Sequence, residues 1–377
     1  MDKIQFIDLK SQQKPIADNI NLALQKVLEH GQYILGPEVQ AFETALKEYT
    51  EAKAVVSCAN GTDALKLLLL ANNVGKGDAV FVPTFTFAAT AEVVPYTQAT
   101  PFFVDICPET FNIDLISLEQ AVQHSKKLGL KPKCIMAVDL FGLPANYPAL
   151  QELADAHNML LIADSAQSFG GKINDAKVGT LASMTATSFF PAKPLGCYGD
   201  GGGIMTQDLE IAERLKALRV HGACGFRYDY QYIGLNSRLD SMQAAVLIEK
   251  LKIFDDEWKK RQHIASLYQE GLHGSVKTPV VPKGYQSAWA LYTIVCQPKQ
   301  RDLLEAHLKD KQVPYGVYYR TPMHLQPAYE AFPRAQEKLT ISEKLSHEVI
   351  SLPMHPYLSD EQVHFIIEQV NHVIKQS

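Results

Sequence analysis

The chain has little of what marks secreted, membrane-spanning or nucleic-acid-binding proteins. Its six cysteines, at positions 58, 107, 134, 197, 224 and 296, form no CxxC pair and do not cluster with histidine. That excludes a zinc module and a disulfide scaffold, and predicts buried or incidental thiols in a reducing cytoplasm. A bilayer span needs about 20 consecutive apolar residues. The longest apolar runs, such as Leu67 to Ala71, fall far short of that. The opening Met1-Asp-Lys-Ile-Gln-Phe-Ile-Asp-Leu has no basic region followed by an apolar one, so it does not read as a secretory leader. A net charge of −5 offers no global attraction to nucleic acid, and no basic helix-turn-helix region is visible. An anionic ligand would need a local basic site. Internal repeats and low-complexity tracts are also missing.

What remains is a chain of 377 residues, 46% hydrophobic and 20% charged, enough for a large core and two lobes. Short runs that are apolar throughout stand at 54–58, 79–82, 101–105, 133–139 and 159–164. Helical spacings separate most of them, notably at 149–157. Strands buried on both faces and alternating with helices predict an α/β fold with a mostly parallel sheet. Helical patterns also cover 13–29, a face made by Val39, Phe42, Ala45, Leu46 and Tyr49, and 209–218. A longer pattern from Met242 to Trp258 reads as a bridge between lobes. Beyond Val276 the texture changes to short strands such as 290–295 and helices such as 302–309. The expected division is a large lobe over 1–250 and a smaller α+β lobe over 251–377.

The stretch Thr185-Ala-Thr-Ser-Phe-Phe-Pro-Ala-Lys193 begins like a buried strand and ends near a glycine cluster, Gly199 to Gly203. Between them stands one lysine, Lys193, flanked by Pro191 and Pro194. Prolines fix φ and withhold a donor, so they hold a loop. A lone lysine among rigid, apolar neighbours is either a solvated loop lysine or an amine suited to covalent chemistry with carbonyls. Asn60-Gly61 makes a tight turn after the first strand, and Thr62-Asp63 opens a helix. That start is either an ordinary cap or a place where backbone N–H groups meet an anion. Asp164, Phe87 and Asn60-Gly61-Thr62 all follow apolar runs, at strand ends where ligands of parallel sheets bind.

Pyridoxal phosphate would give each of these residues a role. Lys193 would hold its aldehyde as a Schiff base, and Asp164 would pair with the protonated ring nitrogen. Gln167 would bond the ring hydroxyl and Phe87 would stack on the ring. Gly61 and Thr62 at the helix start, with Ser188, would hold the phosphate.

The motifs Cys58-Ala-Asn-Gly-Thr-Asp-Ala64, Asp164-Ser-Ala-Gln167, Ser188-Phe-Phe-Pro-Ala-Lys193 and Gly234-Leu-Asn-Ser-Arg238 resemble those of the DegT/DnrJ/EryC1/StrS sugar aminotransferases. The resemblance runs from Phe6-Ile-Asp-Leu9 to His324-Leu-Gln-Pro327. It implies the fold of aspartate aminotransferase (fold type I) and a homodimer in which Asn236 reaches the neighbouring subunit's phosphate. It implies a ping-pong exchange in which L-glutamate loads the amino group and a nucleotide-linked keto sugar receives it. Gly31-Gln-Tyr-Ile-Leu-Gly-Pro37, Lys193-Pro-Leu-Gly-Cys-Tyr-Gly-Asp-Gly-Gly202 and Asn236-Ser-Arg-Leu-Asp240 are similar to the members that aminate C3 of a UDP-linked 3-keto-glucuronic acid, for bacterial surface-polysaccharide synthesis. Arg238 would either bind a carboxylate of the substrate or glutamate, or sit in a structural salt bridge. His324 would either touch the nucleotide sugar or be an ordinary core or surface histidine. Tyr318 and Arg320, the latter where relatives more often carry proline, are further candidates for the sugar or uridine. The alternatives are amination of a dTDP-3-keto or UDP-4-keto sugar, or a non-enzymatic sensor of the same fold. A dehydratase of this group would have lost the lysine, which is present here. No metal site is expected.

Overall fold

Seven strands form the central sheet in the computed structural model, which describes residues 3–225 and 228–376. Five follow the apolar runs: β1 (Ala54–Cys58), β2 (Asp78–Pro83), β3 (Thr100–Val104), β4 (Lys131–Val138) and β5 (Leu160–Asp164). Two-residue strands β6 (Lys172–Ile173) and β7 (Ala176–Lys177) lie outside this sheet. They precede β8 (Met184–Ser188) and β9 (Gly202–Thr206), which complete it. The order is β1-β9-β8-β5-β4-β2-β3. All neighbours are parallel except β9, which runs antiparallel to both β1 and β8.

The sheet is mostly parallel, as the sequence reading expects, but that reading names no strand at 202–206, where it sees only the end of a glycine cluster. Glycine carries no side chain to signal burial, so β9 lacks the β-branched density that marks the other strands. Its place is tight: a Cβ on Gly202 would come within 2.2 Å of the Asn60 carbonyl oxygen. The registers Ser188↔Gly202 and Cys58↔Gly202 bring the ends of β1, β8 and β9 side by side. The loop carrying Lys193 therefore starts and ends on paired residues.

Helices cover both sheet faces, including Gly61–Ala71, Leu115–Lys127, Tyr147–Ala156 and Leu209–Leu218. The pattern expected over 13–29 becomes a helix only from Ala17 to His30. Before it come a short helix, Leu9–Gln13, and a 3₁₀ turn with Pro15 in its first turn, where the missing N–H is tolerated.

The bridging pattern is one helix, Ser241–Leu272, of 32 residues and about 48 Å. It outruns the expected end at Trp258 because charged residues carry its burial. Lys250, Glu257 and Arg261 are all buried, and Arg261 donates to the Trp289 and Met354 carbonyls at 3.1 and 3.2 Å. Its apolar face then resumes at Ile264, Ala265, Tyr268 and Leu272. These pack with Tyr292–Val295 and Val349–Leu352, an antiparallel pair, and with the helix Asp360–Gln376.

The N-terminal segment joins that cluster. Ile4 is 5% exposed within it, the Gln5 carbonyl meets His355 Nε2 at 3.2 Å, and the Phe6 and Tyr318 rings lie 6.3 Å apart. Among the described residues, no helix is long and apolar enough to cross a membrane, and no group of acidic, cysteine and histidine residues could hold a metal ion.

Candidate active site

Asp164 closes β5 and is 6% exposed. Its Oδ2 accepts from the Thr90 hydroxyl at 2.8 Å, and its Oδ1 from the Ala166 amide at 3.3 Å. Burial raises its pKa above the ordinary carboxylate value, while Thr90, Ala166 and the charge of Lys193 pull the other way. Lys193 feels the reciprocal effect. Burial lowers the pKa of its amine, and the Asp164 carboxylate opposes that fall. Amine and carboxylate are thus electrostatic partners across the carboxyl ends of β5 and β8, which are register neighbours at Asp164↔Ala186.

The lysine loop owes its shape to backbone and thiol bonds. The Lys193 amide donates to the Phe190 carbonyl at 2.8 Å, and the Cys197 amide to the Phe189 carbonyl at 2.8 Å. The Cys197 thiol lies 2.9 Å from the Phe189 carbonyl and 3.1 Å from that of Gly199. Burial pushes this thiol up to about 11, so it stays protonated as a donor.

A helix start faces the same corner. Asn60 caps Gly61–Ala71 by accepting from the Asp63 amide at 2.7 Å. The Gly61 and Thr62 amides have no acceptor among the described residues. A Cβ on Gly61 would stand 2.8 Å from the Ser188 Cβ, so only glycine lets the helix start approach the Ser188 hydroxyl this closely. Two open amides and a hydroxyl at a helix N-terminus suit a phosphate.

Gln167 is 8% exposed and accepts from the Phe141 amide through Oε1 at 2.8 Å. This bond fixes the side-chain orientation and frees the amide N–H groups as donors. A buried carboxylate, a buried amine, an oriented amide and a phosphate cradle on neighbouring strand ends fit pyridoxal phosphate. Phe87 caps the short helix Ala88–Glu92, which carries Thr90, and is 60% exposed.

The outer candidates divide. Tyr318 lies between Phe6 and Tyr319. Tyr319, which the sequence reading passes over, reaches the centre. Burial raises its hydroxyl pKa, the Gln167 amide opposes that rise, and its ring meets Phe85 edge-on at 5.9 Å. Arg320 turns to the helix Pro298–Asp310 and pairs with Glu305 at 2.5 Å. No contact among the described residues joins it to Asp164, Lys193, Gln167 or Ser188.

His324 corrects the expectation of a sugar contact. It is 1% exposed, with Nδ1 2.7 Å from the Thr84 hydroxyl and Nε2 3.2 Å from Glu343. Both ring nitrogens are occupied inside the protein, and burial lowers its pKa. Its work is to tie the segment carrying Tyr319 to the end of β2.

Asn236 is exposed, and Arg238 is half-buried with no hydrogen bond or ion pair among the described residues. Between them the Ser237 hydroxyl accepts from the Ala59 amide at 3.2 Å, which fastens this loop to the turn before Gly61. Thr90 is the most direct omission of the sequence reading. It sits in an unremarkable Ala-Ala-Thr-Ala run, and only the fold brings it to Asp164.

The sequence profile of the DegT/DnrJ/EryC1/StrS aminotransferase family matches residues 14–371. The chain is 42% identical over 364 residues to the UDP-2-acetamido-2-deoxy-3-oxo-D-glucuronate aminotransferase of Pseudomonas aeruginosa, covering 96% of this chain and 98% of that protein. Its structure superposes on a DegT/DnrJ/EryC1/StrS aminotransferase from Brucella abortus with a TM-score of 0.96 and 47% identity, over 98% and 99% of the two chains. It also matches ntda from Bacillus subtilis with bound cofactor PMP, at a TM-score of 0.90 and 28% identity, over 100% of this chain and 86% of the other.

Proposed function

The chain belongs to the DegT/DnrJ/EryC1/StrS aminotransferase family of pyridoxal phosphate enzymes, and from that premise we propose a specific reaction. The enzyme transfers the amino group of L-glutamate to C3 of UDP-2-acetamido-2-deoxy-3-oxo-glucuronate, in the cytoplasm, toward a diamino sugar for surface polysaccharide. The coupling of the Lys193 amine with the Asp164 carboxylate carries the transamination reading. Similarity to the Pseudomonas aeruginosa enzyme supports the substrate.

When bound, pyridoxal phosphate supplies an aldehyde that exchanges amines and a ring that takes up electron density. Asp164 would hold the ring nitrogen in its protonated form, an arrangement that would also favour its own charged state despite burial. Gln167 would donate to the ring oxygen. Gly61, Thr62 and Ser188 would hold the phosphate, and Phe87 would lie against the ring. Lys193 would hold the aldehyde at rest. Once released, its Nζ would serve as the base toward the α-proton of glutamate and, in protonated form, as the acid toward C3 of the sugar. The lowered pKa leaves more of this amine neutral at working pH, as a base requires.

Arg238 is the proposed partner of a substrate carboxylate, supported by its lack of an internal partner among the described residues. Tyr318 and Arg320 are carried forward at the sugar-nucleotide side. Two lobes joined through the helix Ser241–Leu272 and a homodimer with shared sites complete the reading. The dimer has support from exposed apolar residues: Phe190 (51%) and Tyr198 (37%) on the lysine loop, and Tyr33 (47%) and Ile34 (54%), which pair with Ser241 and Asp240.

The test is turnover of the UDP-3-keto uronic acid, its C6-hydroxymethyl analogue and a UDP-4-keto-6-deoxy sugar, each with glutamate. The first should have the highest kcat/KM. A misplaced reacting carbon costs roughly 100-fold per ångström, and an unpaired site cation penalises the neutral sugar. A faster 4-keto sugar overturns the C3 assignment. Equal rates with and without the carboxylate overturn the uronic-acid part.

A further inference from the structure

Asp139 follows β4 and is 0% exposed. Its carboxylate accepts four hydrogen bonds. Oδ2 takes the hydroxyls of Ser165 and Ser168, each at 2.6 Å. Oδ1 takes the Ala145 amide at 2.8 Å and the Tyr147 hydroxyl at 2.7 Å. Burial raises its pKa to about 6 while these four donors favour the charged form, and no cation contributes. A buried carboxylate is costly unless hydrogen-bonded, and this one is satisfied entirely by donors.

The identity of those donors gives the carboxylate its meaning. Ser165 directly follows Asp164, and Ser168 directly follows Gln167. One oxygen therefore grips the loop just past each of its two cofactor-facing residues. The other grips the start of the helix Tyr147–Ala156. The same corner of chain makes two further contacts: the Asp139 amide donates to the Asp164 carbonyl at 3.0 Å, and the Phe141 amide orients Gln167. Phe141 holds a left-handed φ of 60°, which aims that amide. At Gly142 (φ 106°) a Cβ would stand 2.7 Å from the Trp289 amide nitrogen and 3.2 Å from the Gln167 carbonyl oxygen, so the corner admits only glycine.

We propose that Asp139 is a positioning residue for the cofactor, fixing the loop Asp164–Gln167 through the Ser165 and Ser168 hydroxyls. Asp139 itself stands behind the loop and acts through it. In an amide variant the two serines would face either a neutral oxygen or an N–H donor. Both are weaker than the charge-assisted O–H···O⁻ bonds, and N–H···O bonds are longer by a few tenths of an ångström. Displacements of that size are felt by reacting groups.

The inference rests on the proposed roles of Asp164 and Gln167, so Asp164→Ala is measured alongside. Retention of pyridoxal phosphate on dialysis of the holoenzyme and the induced circular dichroism of its visible band are followed in Asp139→Asn, in Ser165→Ala/Ser168→Ala and in the triple variant. Thermal midpoints of the apo-proteins are recorded in parallel. Asp139→Asn and the double variant should each weaken retention about 10-fold or more and reduce the dichroic band. The triple variant should be no worse than the weaker of the two, because both act on one set of bonds. Retention and dichroism like the parent's in Asp139→Asn overturn the inference, whatever the thermal midpoint does, as does additive loss in the triple variant. Should Asp139→Asn fail to fold, the double variant decides by the same criteria. Normal retention in Asp164→Ala overturns the underlying placement and the inference with it, whereas loss there with retention in Asp139→Asn overturns the inference alone.

Discussion

Thr90 donates its hydroxyl to Oδ2 of Asp164 at 2.8 Å and, with that proton spent, can only accept from Thr86, 2.9 Å away. The chain of donors ends on the carboxylate proposed to face the ring nitrogen. A hydrogen bond to a charged group contributes about 1.5–3 kcal/mol. Thr90→Val keeps the shape and removes the bond, so kcat/KM should fall roughly 10-fold or more, and Thr90→Ser should restore most of it. Steady-state kinetics of the three proteins checks this, and parent-like rates in the valine variant would remove Thr90 from the machinery.

Lys193 should be the residue that carries the cofactor. Borohydride reduction and peptide mapping should find the label there and on no other lysine, and Lys193→Ala should abolish turnover. The apo-protein adds a signed test. Burial lowers the amine's pKa below the ordinary 10.5 and Asp164 holds it up. Asp164→Asn removes the supporting charge, so the pKa should fall further. Competitive acetylation of Lys193 as a function of pH reads the midpoint directly, and an upward shift in the variant contradicts the coupling.

A site completed by a second subunit predicts complementation. Lys193→Ala and the Asn236→Ala/Arg238→Ala double variant should each be inactive as homodimers. Mixed and allowed to exchange subunits, they should regain part of the parent activity. Exchange demonstrated by mass, with no activity recovered, refutes the shared site.

His355 gives the fold a pH dependence. Burial, followed by the nearby Arg261 charge, lowers its pKa to about 4 from 6.5, against the Gln5 carbonyl and Asp8. The unfolded chain therefore binds this proton more readily than the folded one. Stability is fully present above about pH 6.5 and lost as pH falls toward 4, by up to about 3 kcal/mol from this group. His355→Gln should flatten that part of the profile in urea titrations of the apo-protein between pH 4 and 7. A slope identical to the parent's would contradict the assignment.

The strands around the site were legible because their apolar, β-branched runs can only be buried on both faces. Lys193, Asp164, Gln167, Ser188 and the Gly61 turn each had an ordinary reading in the sequence, and the family motifs singled them out; the fold sets Asp164 within reach of the Lys193 charge and Gly61 against Ser188. The rest was hidden for particular reasons. β9 is built partly of glycine, which leaves no hydrophobic pattern. The long helix hides its second half behind Lys250, Glu257 and Arg261, charged residues that a one-dimensional reading puts on the surface. Thr90 lies 74 residues from the carboxylate it serves. His324 and Thr84 are 240 residues apart, and no local pattern reports that they are bonded.

The seat of Ile4 has a consequence for synthesis. Ile4 shares one apolar cluster with Ile264, Tyr268, Leu352 and Val363, so this segment packs with residues made about 260 to 360 positions later. At about 5–20 residues per second, roughly 20–70 s separate the two. The central sheet can assemble in that interval, but Phe6 cannot meet Tyr318, nor Gln5 meet His355, until those later residues have emerged. A nascent chain would thus complete its central strands well before it anchors the segment around Ile4, and a truncation within Asp360–Gln376 would loosen that segment as well as the helix itself.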